Sequence, residues 1–289
     1  MRTVLAFPSD TQCGSALGLI PPGQWQLHDG GYHNPSVAQK ILWQQWAESW
    51  KRVAELRKKS RLVVVFNGDA VQGDRLSPVQ MVTNNREEQE RIHEACMDWA
   101  LQTAKFSTKK GDLLYYVRGT AAHVGSGGQS EERIARDLGA VPWIKPNRID
   151  GKDGRYCWED IVLDVGGVIF DVAHHLSVRP GQRVWTRESS LRSKIISIYF
   201  DHLDHGIAIP RYVIGAHNHK FTHAEYEGAQ GKVEGFIIPC FQFHDEWSKK
   251  VAAGELSTIG MLIVIVEDDG STQWECPRIT ISDKPVVKL

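Results

Sequence analysis

The chain has 289 residues, 42% hydrophobic and 24% charged, with a formal net charge of -1 at pH 7. Those values are typical of a soluble globular protein with a sizeable core. They exclude a membrane span, since no apolar run approaches the ~20 residues needed. The near-zero charge demands no nucleic-acid partner, although a local basic groove remains compatible with it. The five cysteines, Cys13, Cys96, Cys157, Cys240 and Cys276, are odd in number, dispersed and without a C-x-x-C pair. That pattern argues against a disulfide framework and against a structural zinc knuckle.

Residues 3–7 form a short apolar run that stops at Pro8-Ser9-Asp10, which predicts a buried strand ending in a loop. The apolar part is too short for a secretory signal, so a cytoplasmic protein is expected. Asn34-Pro35-Ser36 opens a helix, with proline suited to its first turn. Ile41, Leu42, Trp46, Trp50, Val53 and Leu56 follow at helical spacing, with Lys58-Lys59 near the C-terminus. The stripe of Trp43, Trp46 and Trp50 reads as helix packing and not as a base-stacking platform.

Residues 62–66 are a second strand, running into Asn67-Gly68-Asp69. A long helix over 86–105 follows, capped by Asn84 or Asn85. A third strand, 113–117, ends at Arg118-Gly119-Thr120, and a shorter helix over 130–138 stops at Gly139. Two runs, 161–165 and 168–172, form a hairpin around Gly166-Gly167. A helix over 189–202 leads to a strand at 212–214. From residue 222 the chain is strand-rich, with strands expected at 236–238, 261–266 and 278–281. Alternation first and strands last predict an α/β sandwich of two sheets with helices outside. No repeat, low-complexity tract or linker marks a boundary, so a single domain over 1–289 is expected.

The polar clusters after these strands share a character. They are Ser9-Asp10-Thr11-Gln12, Gly68-Asp69, Gly119-Thr120-Ala121-Ala122-His123, His174-His175 and Gly215-Ala216-His217-Asn218-His219. In open α/β sheets the carboxyl ends of strands converge on one crevice. Carboxylates and imidazoles gathered there suit divalent ions such as Mn, Fe or Zn. Singly these signals are weak: an isolated Gly-Asp is most often a turn, and Ser-Asp-Thr a turn or cap. His217-x-His219 after an apolar strand is more specific, because two such imidazoles seldom serve packing alone.

In order and spacing, these clusters resemble the five-part pattern of the calcineurin-like metallophosphoesterases: D-x-H, G-D, G-N-H-D/E, a lone His after a strand, and G-H-x-H. Asp10 matches the first aspartate and Asp69 the bridging carboxylate. His174 or His175 matches the lone histidine, with His174 preferred as the first after its strand. His217 and His219 match the final pair. Two positions depart from the pattern. Gln12 stands at the D-x-H histidine, and Thr120 stands at the asparagine, with His123 arriving late. The resulting G-T-x-x-H segment is similar to that of a divergent branch associated with bacteriophage genomes.

The resemblance implies a four-layer α/β/β/α sandwich of two mixed sheets flanked by helices. It also implies two divalent metal ions. Asp10, Gln12 and His219 would hold one, His174 and His217 the other, and Asp69 would bridge them. Manganese is the expected ion, since a glutamine oxygen is a harder donor than imidazole; zinc, iron or magnesium are the alternatives. The reaction implied is hydrolysis of a phosphodiester or phosphomonoester by a two-metal-activated water. His123 would protonate the leaving oxygen, although the residues alone leave it open as an acid, a ligand or a loop histidine. The expected partner is a phosphate ester, DNA, RNA or a nucleotide among them. Substrate choice is left to loops 12–34 and 72–85. Arg183, Arg187 and Arg192 follow the His174-His175 loop and lie within conceivable reach of a phosphate, but a solvated helix face is the commoner explanation. The rival reading is a binding or scaffold protein that keeps the fold and has lost a metal, with Gln12 and Thr120 as its motivation.

Overall fold

The computed structural model describes residues 1–74, 80–145, 154–178, 186, 188–244 and 256–281. In chain order the elements are β1 (Thr3–Phe7), β2 (Trp25–Gln26), β3 (Tyr32–His33), α1 (Val37–Arg57), β4 (Arg61–Asn67), α2 (Arg86–Thr103), β5 (Leu113–Val117), α3 (Ala121–Val124) and α4 (Gln129–Asp137). They continue with β6 (Cys157–Trp158), β7 (Asp160–Val165), β8 (Val168–Ala173), α5 (Ser189–His205), β9 (Tyr212–Gly215), β10 (Thr222–Gly228), β11 (Gly231–Ile237), β12 (Ser257–Gly260), β13 (Leu262–Val266), β14 (Thr272–Glu275) and β15 (Arg278–Ile281).

Two mixed sheets dominate. One has the order β14-β13-β1-β4-β5-β6 and the other β10-β11-β9-β8-β7. In the first, β1, β4, β5 and β6 run parallel, β13 is antiparallel to β1, and β14 pairs antiparallel with β13 and so runs with the others. In the second, β8, β9 and β11 run parallel, with β7 and β10 antiparallel at the edges. The central strands of the first sheet are apolar throughout because both faces are covered. Val4 and Ala6 join Leu62, Val64 and Phe66 on one face, against Trp46, Trp50, Ile92, Met97 and Ile134 of the helices. Leu5, Phe7, Val63 and Val65 join the opposite face and meet Phe170, Val172, Tyr212, Ile214 and Phe236 of the second sheet. The outer face of that sheet packs Val213 and Val233 against Leu191, Ile195 and Tyr199 of α5. This is an α/β sandwich, with layers helix, sheet, sheet, helix. Fully burying each such side chain contributes about 1.5–3 kcal/mol, so the inter-sheet layer is a major source of the fold's stability.

Local chemistry sets the ends of the elements. Ser36 caps α1: its hydroxyl accepts from the Gln39 N–H at 3.2 Å, and the Gln39 side chain accepts from the Ser36 N–H at 3.0 Å. Pro35 therefore stands just before the cap, not in the first turn. Asn85 caps α2, accepting from the Glu88 N–H at 3.1 Å. Trp46 and Trp50 are fully buried, and Trp43 stacks edge-on against Trp99 at 5.1 Å, so the tryptophan stripe is packing. All five cysteines are free. Among the described residues no helix is long and apolar enough to cross a membrane.

Candidate metal centre

The loops leaving β1, β4, β5, β8 and β9 meet at one end of the two sheets, and their backbones are tied together. Beyond β1, the N–H groups of Asp10, Gln12 and Cys13 donate to the carbonyls of Gly68, Asp69 and Ala70 at 2.9, 3.1 and 3.0 Å. The β1–β4 pairing thus runs on into the loops. The Ala216 N–H donates to the His174 carbonyl at 3.0 Å, which joins the loops of β8 and β9. Close approach requires glycine at two points. A Cβ on Gly68, whose φ is +84°, would lie 2.3 Å from His174 Nδ1 and 2.8 Å from Gly119 Cα. One on Gly119 would lie 2.2 Å from the Asp69 nitrogen.

The side chains converge on Asp69. Its Oδ2 lies 3.2 Å from His174 Nε2, 3.9 Å from His217 Nδ1 and 3.3 Å from the donating Gln12 Nε2. Its Oδ1 accepts from the Thr120 N–H at 2.6 Å, and its Oδ2 from the Thr120 hydroxyl at 3.1 Å. Beside it, Asp10 Oδ1 is 3.1 Å from His219 Nε2, and Asp10 Oδ2 accepts from the His217 N–H at 3.3 Å. His174 Nδ1 donates to the Asn67 carbonyl at 2.6 Å, which leaves Nε2 to face the carboxylates. His174 is therefore the deeply buried member of the His174-His175 pair, and His175 is exposed on one side. His123, on α3, is held through Nδ1 by the Gln72 carbonyl at 2.7 Å.

Charge balance at the site is severe. Burial works to raise the Asp69 pKa, yet His174, then His123 and His217, hold its carboxyl well below the usual range. Burial likewise opposes ionisation of Asp10, but His219 and His174 lower its pKa. Burial disfavours a charged His174, but Asp69 and Asp10 raise its pKa to about 9. His219 is held up in the same way against burial by Cys240 and Asp10. His175 is pushed down to about 4 by burial and by the neighbouring imidazoles.

The backbone carries a second signature. Among the described residues eight non-glycine positions have positive φ, and five of them are Asp10 (49°), Gln12 (44°), Asp69 (58°), His217 (70°) and His219 (51°). Each left-handed residue costs about 1 kcal/mol or more. Such concentrations of backbone strain belong to sites where side-chain direction is the purpose.

These residues fit a divalent metal pair. Ligand atoms of Asp10, Asp69 and His174 lie within 4.8 Å of one another, and so do those of His174, His175 and His217. The two groups share His174 and adjoin through Asp69. Gln12 Oε1 is buried without a hydrogen-bond partner, and such an orphaned acceptor is costly unless something binds it. Carboxylate, amide oxygen and imidazole together suit Mn, Fe or Zn.

Two participants are invisible in the motif pattern. Glu131 of α4 is fully buried and accepts from the Ala70 N–H at 3.1 Å and the Gly119 N–H at 2.7 Å, so it ties the β4 and β5 loops together. Burial and the Asp69 charge raise its pKa to about 7. His93 of α2 lies beneath the β1 loop, with Nδ1 2.9 Å from the Thr11 hydroxyl and Nε2 3.0 Å from the Tyr116 hydroxyl. Both sit on the core-facing stripes of their helices, Glu131 with Ile134 and Ala135, His93 with Met97 and Ala100. A titratable residue on such a stripe is the signal that would have found them.

Other candidates lie elsewhere. Arg192 pairs with Glu188 on the exposed face of α5 at 3.5 Å, and Arg183 and Arg187 lie outside the described residues. His223, Glu225 and Glu234 form a further ligand-type group. There Glu234 is already satisfied by Arg211 at 2.7 Å and Trp274 at 3.0 Å, which makes this an ion-pair network.

No family model and no curated protein sequence matches the chain. Solved structures do align with it. Vacuolar Protein Sorting 29 from Cryptosporidium parvum is 11% identical, with 97% of this chain and 100% of that one covered and a TM-score of 0.35. Wild-type Vps29 complexed with zinc from Entamoeba histolytica is 12% identical, covers 96% and 98%, and scores 0.31. The sulfate thiohydrolase SoxB of Thermus thermophilus, in complex with glycerol, is 12% identical, covers 95% of this chain and 56% of that one, and scores 0.37. Likeness at this level carries no argument about family or activity.

Proposed function

We propose that this chain is a metal-dependent phosphoesterase that hydrolyses phosphodiester or phosphomonoester bonds. The observation that carries the reading is the left-handed backbone at five ligand-type residues, Asp10, Gln12, Asp69, His217 and His219, whose side chains gather around the Asp10 and Asp69 carboxylates. Asp10, Gln12 and His219 would hold one ion and His174 and His217 the other, with Asp69 shared. Two bound cations would supply Lewis acidity and charge neutralisation toward a phosphate ester. The chain's own residues do the rest. Glu131 and Gly68 fix the loops, Thr120 orients Asp69 through two hydrogen bonds, and the buried floor limits water. The Nδ1–H of His123 donates a hydrogen bond to the Gln72 carbonyl, so in the imidazolium form, which carries a proton on each nitrogen, Nε2 would be the atom that gives its proton to the leaving oxygen and leaves the ring neutral. Manganese is the proposed ion and nucleic acid or a nucleotide the proposed substrate class, on donor hardness and on the sequence resemblance respectively.

The test is hydrolysis of bis-p-nitrophenyl phosphate by protein loaded with Mn²⁺, before and after chelation. Turnover that vanishes with chelation and returns with metal supports the reading. Folded protein that binds metal but hydrolyses neither this diester nor the corresponding monoester favours the scaffold reading. The Gln12 amide, which donates to Asp69 where a ligand is expected, is the feature that points that way.

A further inference from the structure

We propose that His175, in addition to His174, is a ligand of the second metal ion. The inference rests on the two-ion reading above and adds a donor that the sequence pattern does not contain. It starts from Thr120. That residue sets a single hydroxyl among the candidate donors.

The Thr120 Oγ1 has four neighbours: Asp69 Oδ2 at 3.1 Å, His175 Nε2 and His217 Nδ1 at 3.2 Å each, and His174 Nε2 at 3.4 Å. A hydroxyl donates one hydrogen bond and accepts at most two. Three imidazole nitrogens and a carboxylate are therefore gathered around a group that cannot satisfy them all. The rings crowd accordingly. The centroid of His175 is 4.3 Å from that of His217 and 4.6 Å from that of His174. Ligand nitrogens of all three lie within 4.8 Å of one another.

His175 could easily do otherwise. It is exposed on one side, and water is available to its ring. Among the described residues it has no carboxylate at ion-pair distance, whereas His174 and His217 both face Asp69. Yet its Nε2 is turned inward to the Thr120 hydroxyl. A divalent cation is the one common partner that accepts several imidazole nitrogens at once. His175 thus supplies a further nitrogen to the second ion's shell, and Thr120 orients both Asp69 and the two outer rings.

The test is direct binding, read without activity. Metal-free wild type, His175→Ala and His175→Asn are titrated with Zn²⁺ by calorimetry. Their Co²⁺ complexes are compared by visible absorption, with circular dichroism as the check on folding. Because His175 is exposed, the alanine variant is expected to fold. Wild type should bind two ions per chain. His175→Ala should retain one site unchanged and lose at least about tenfold in affinity at the other, since even outer partners of metal ligands are worth that much. His175→Asn, which restores a shorter amide donor, should recover part of the loss. The Co²⁺ spectrum of His175→Ala should change for one ion only. Two ions bound by His175→Ala with wild-type affinity and an unchanged Co²⁺ spectrum would overturn this inference alone. Wild type that binds no ion would overturn the two-ion reading and this inference with it.

Discussion

Replacing Glu131 with glutamine should change how stability depends on pH, in a direction opposite to the usual carboxylate. Glu131 is fully buried, and its pKa is raised from 4.5 to about 7 by burial and by the charge on Asp69, against the lowering effect of the two N–H groups it accepts from. The folded pKa lies above the unfolded one, so folding favours the protonated acid. That contribution is complete below about pH 4.5 and is lost as pH rises through about 7. A gap of about 2.5 units at ~1.4 kcal/mol each gives up to roughly 3 kcal/mol lost in the metal-free protein. Glutamine has the shape of the protonated acid and cannot ionise. At low pH the variant should be the less stable by about 1 kcal/mol, since its amide NH₂ faces a backbone N–H where an acceptor stood. As pH rises to 8 the difference should move in its favour by as much as about 3 kcal/mol. The assay is urea denaturation of both proteins in chelator at pH 4.5, 6 and 8. Parallel stability curves would be the contrary result and would show that folding does not raise the Glu131 pKa.

Three other changes test separate parts of the site. Gly68→Ala places a methyl 2.3 Å from His174 Nδ1 at a φ of +84°. It should cost about 1–3 kcal/mol of stability in thermal unfolding and weaken metal binding, with unaltered metal affinity as the contrary result. His123→Ala should lower kcat by about 10²–10⁴-fold on a substrate with a poor leaving group while leaving metal content unchanged; loss of an ion in that variant would make His123 a ligand instead. Metal affinity should fall as pH drops below about 9, because the His174 Nε2 lone pair that a cation needs is protonated in the metal-free protein. Calorimetric titrations between pH 6 and 9 in buffers of different ionisation enthalpy should show proton release on binding, and none would mean that His174 is not a ligand.

Much of the fold was legible because its strands are buried on both faces. The runs at Thr3–Phe7 and Leu113–Val117 are mostly apolar and aromatic and are bounded by Pro8 and by Arg118-Gly119, so their limits agree with the structure. The Gly166-Gly167 hairpin was readable because both residues take the positive φ that its two-residue turn requires. β2, β3, β6 and β12 were not, since they are two to four residues long and owe their existence to tertiary pairing. β14 was hidden by its composition: Thr272, Gln273, Trp274 and Glu275 carry no apolar alternation, and register with β13 alone makes them a strand. At the site, residue type and order showed that Asp10, Asp69, His174, His217 and His219 belong together, and the structure gathers them. The inward turn of His175 was beyond reach, because strand alternation would send it away from His174. Glu131 and His93 act from helices that only the folded chain brings beneath the loops.

A pair of ions organised by Asp69 has a stoichiometry that can be counted. Wild type and Asp69→Asn are saturated with Mn²⁺, exchanged into metal-free buffer and analysed for bound metal, with circular dichroism as the check on folding. Asp69 Oδ2 faces His174 and His217, and its neighbour Asp10 faces His219, so neutralising Asp69 removes the charge shared by both positions. Close to two ions are expected per wild-type chain and no more than one in Asp69→Asn. Folded wild-type protein with reproducibly no metal, or an Asp69→Asn variant that still holds two ions, would contradict a pair of ions organised by Asp69.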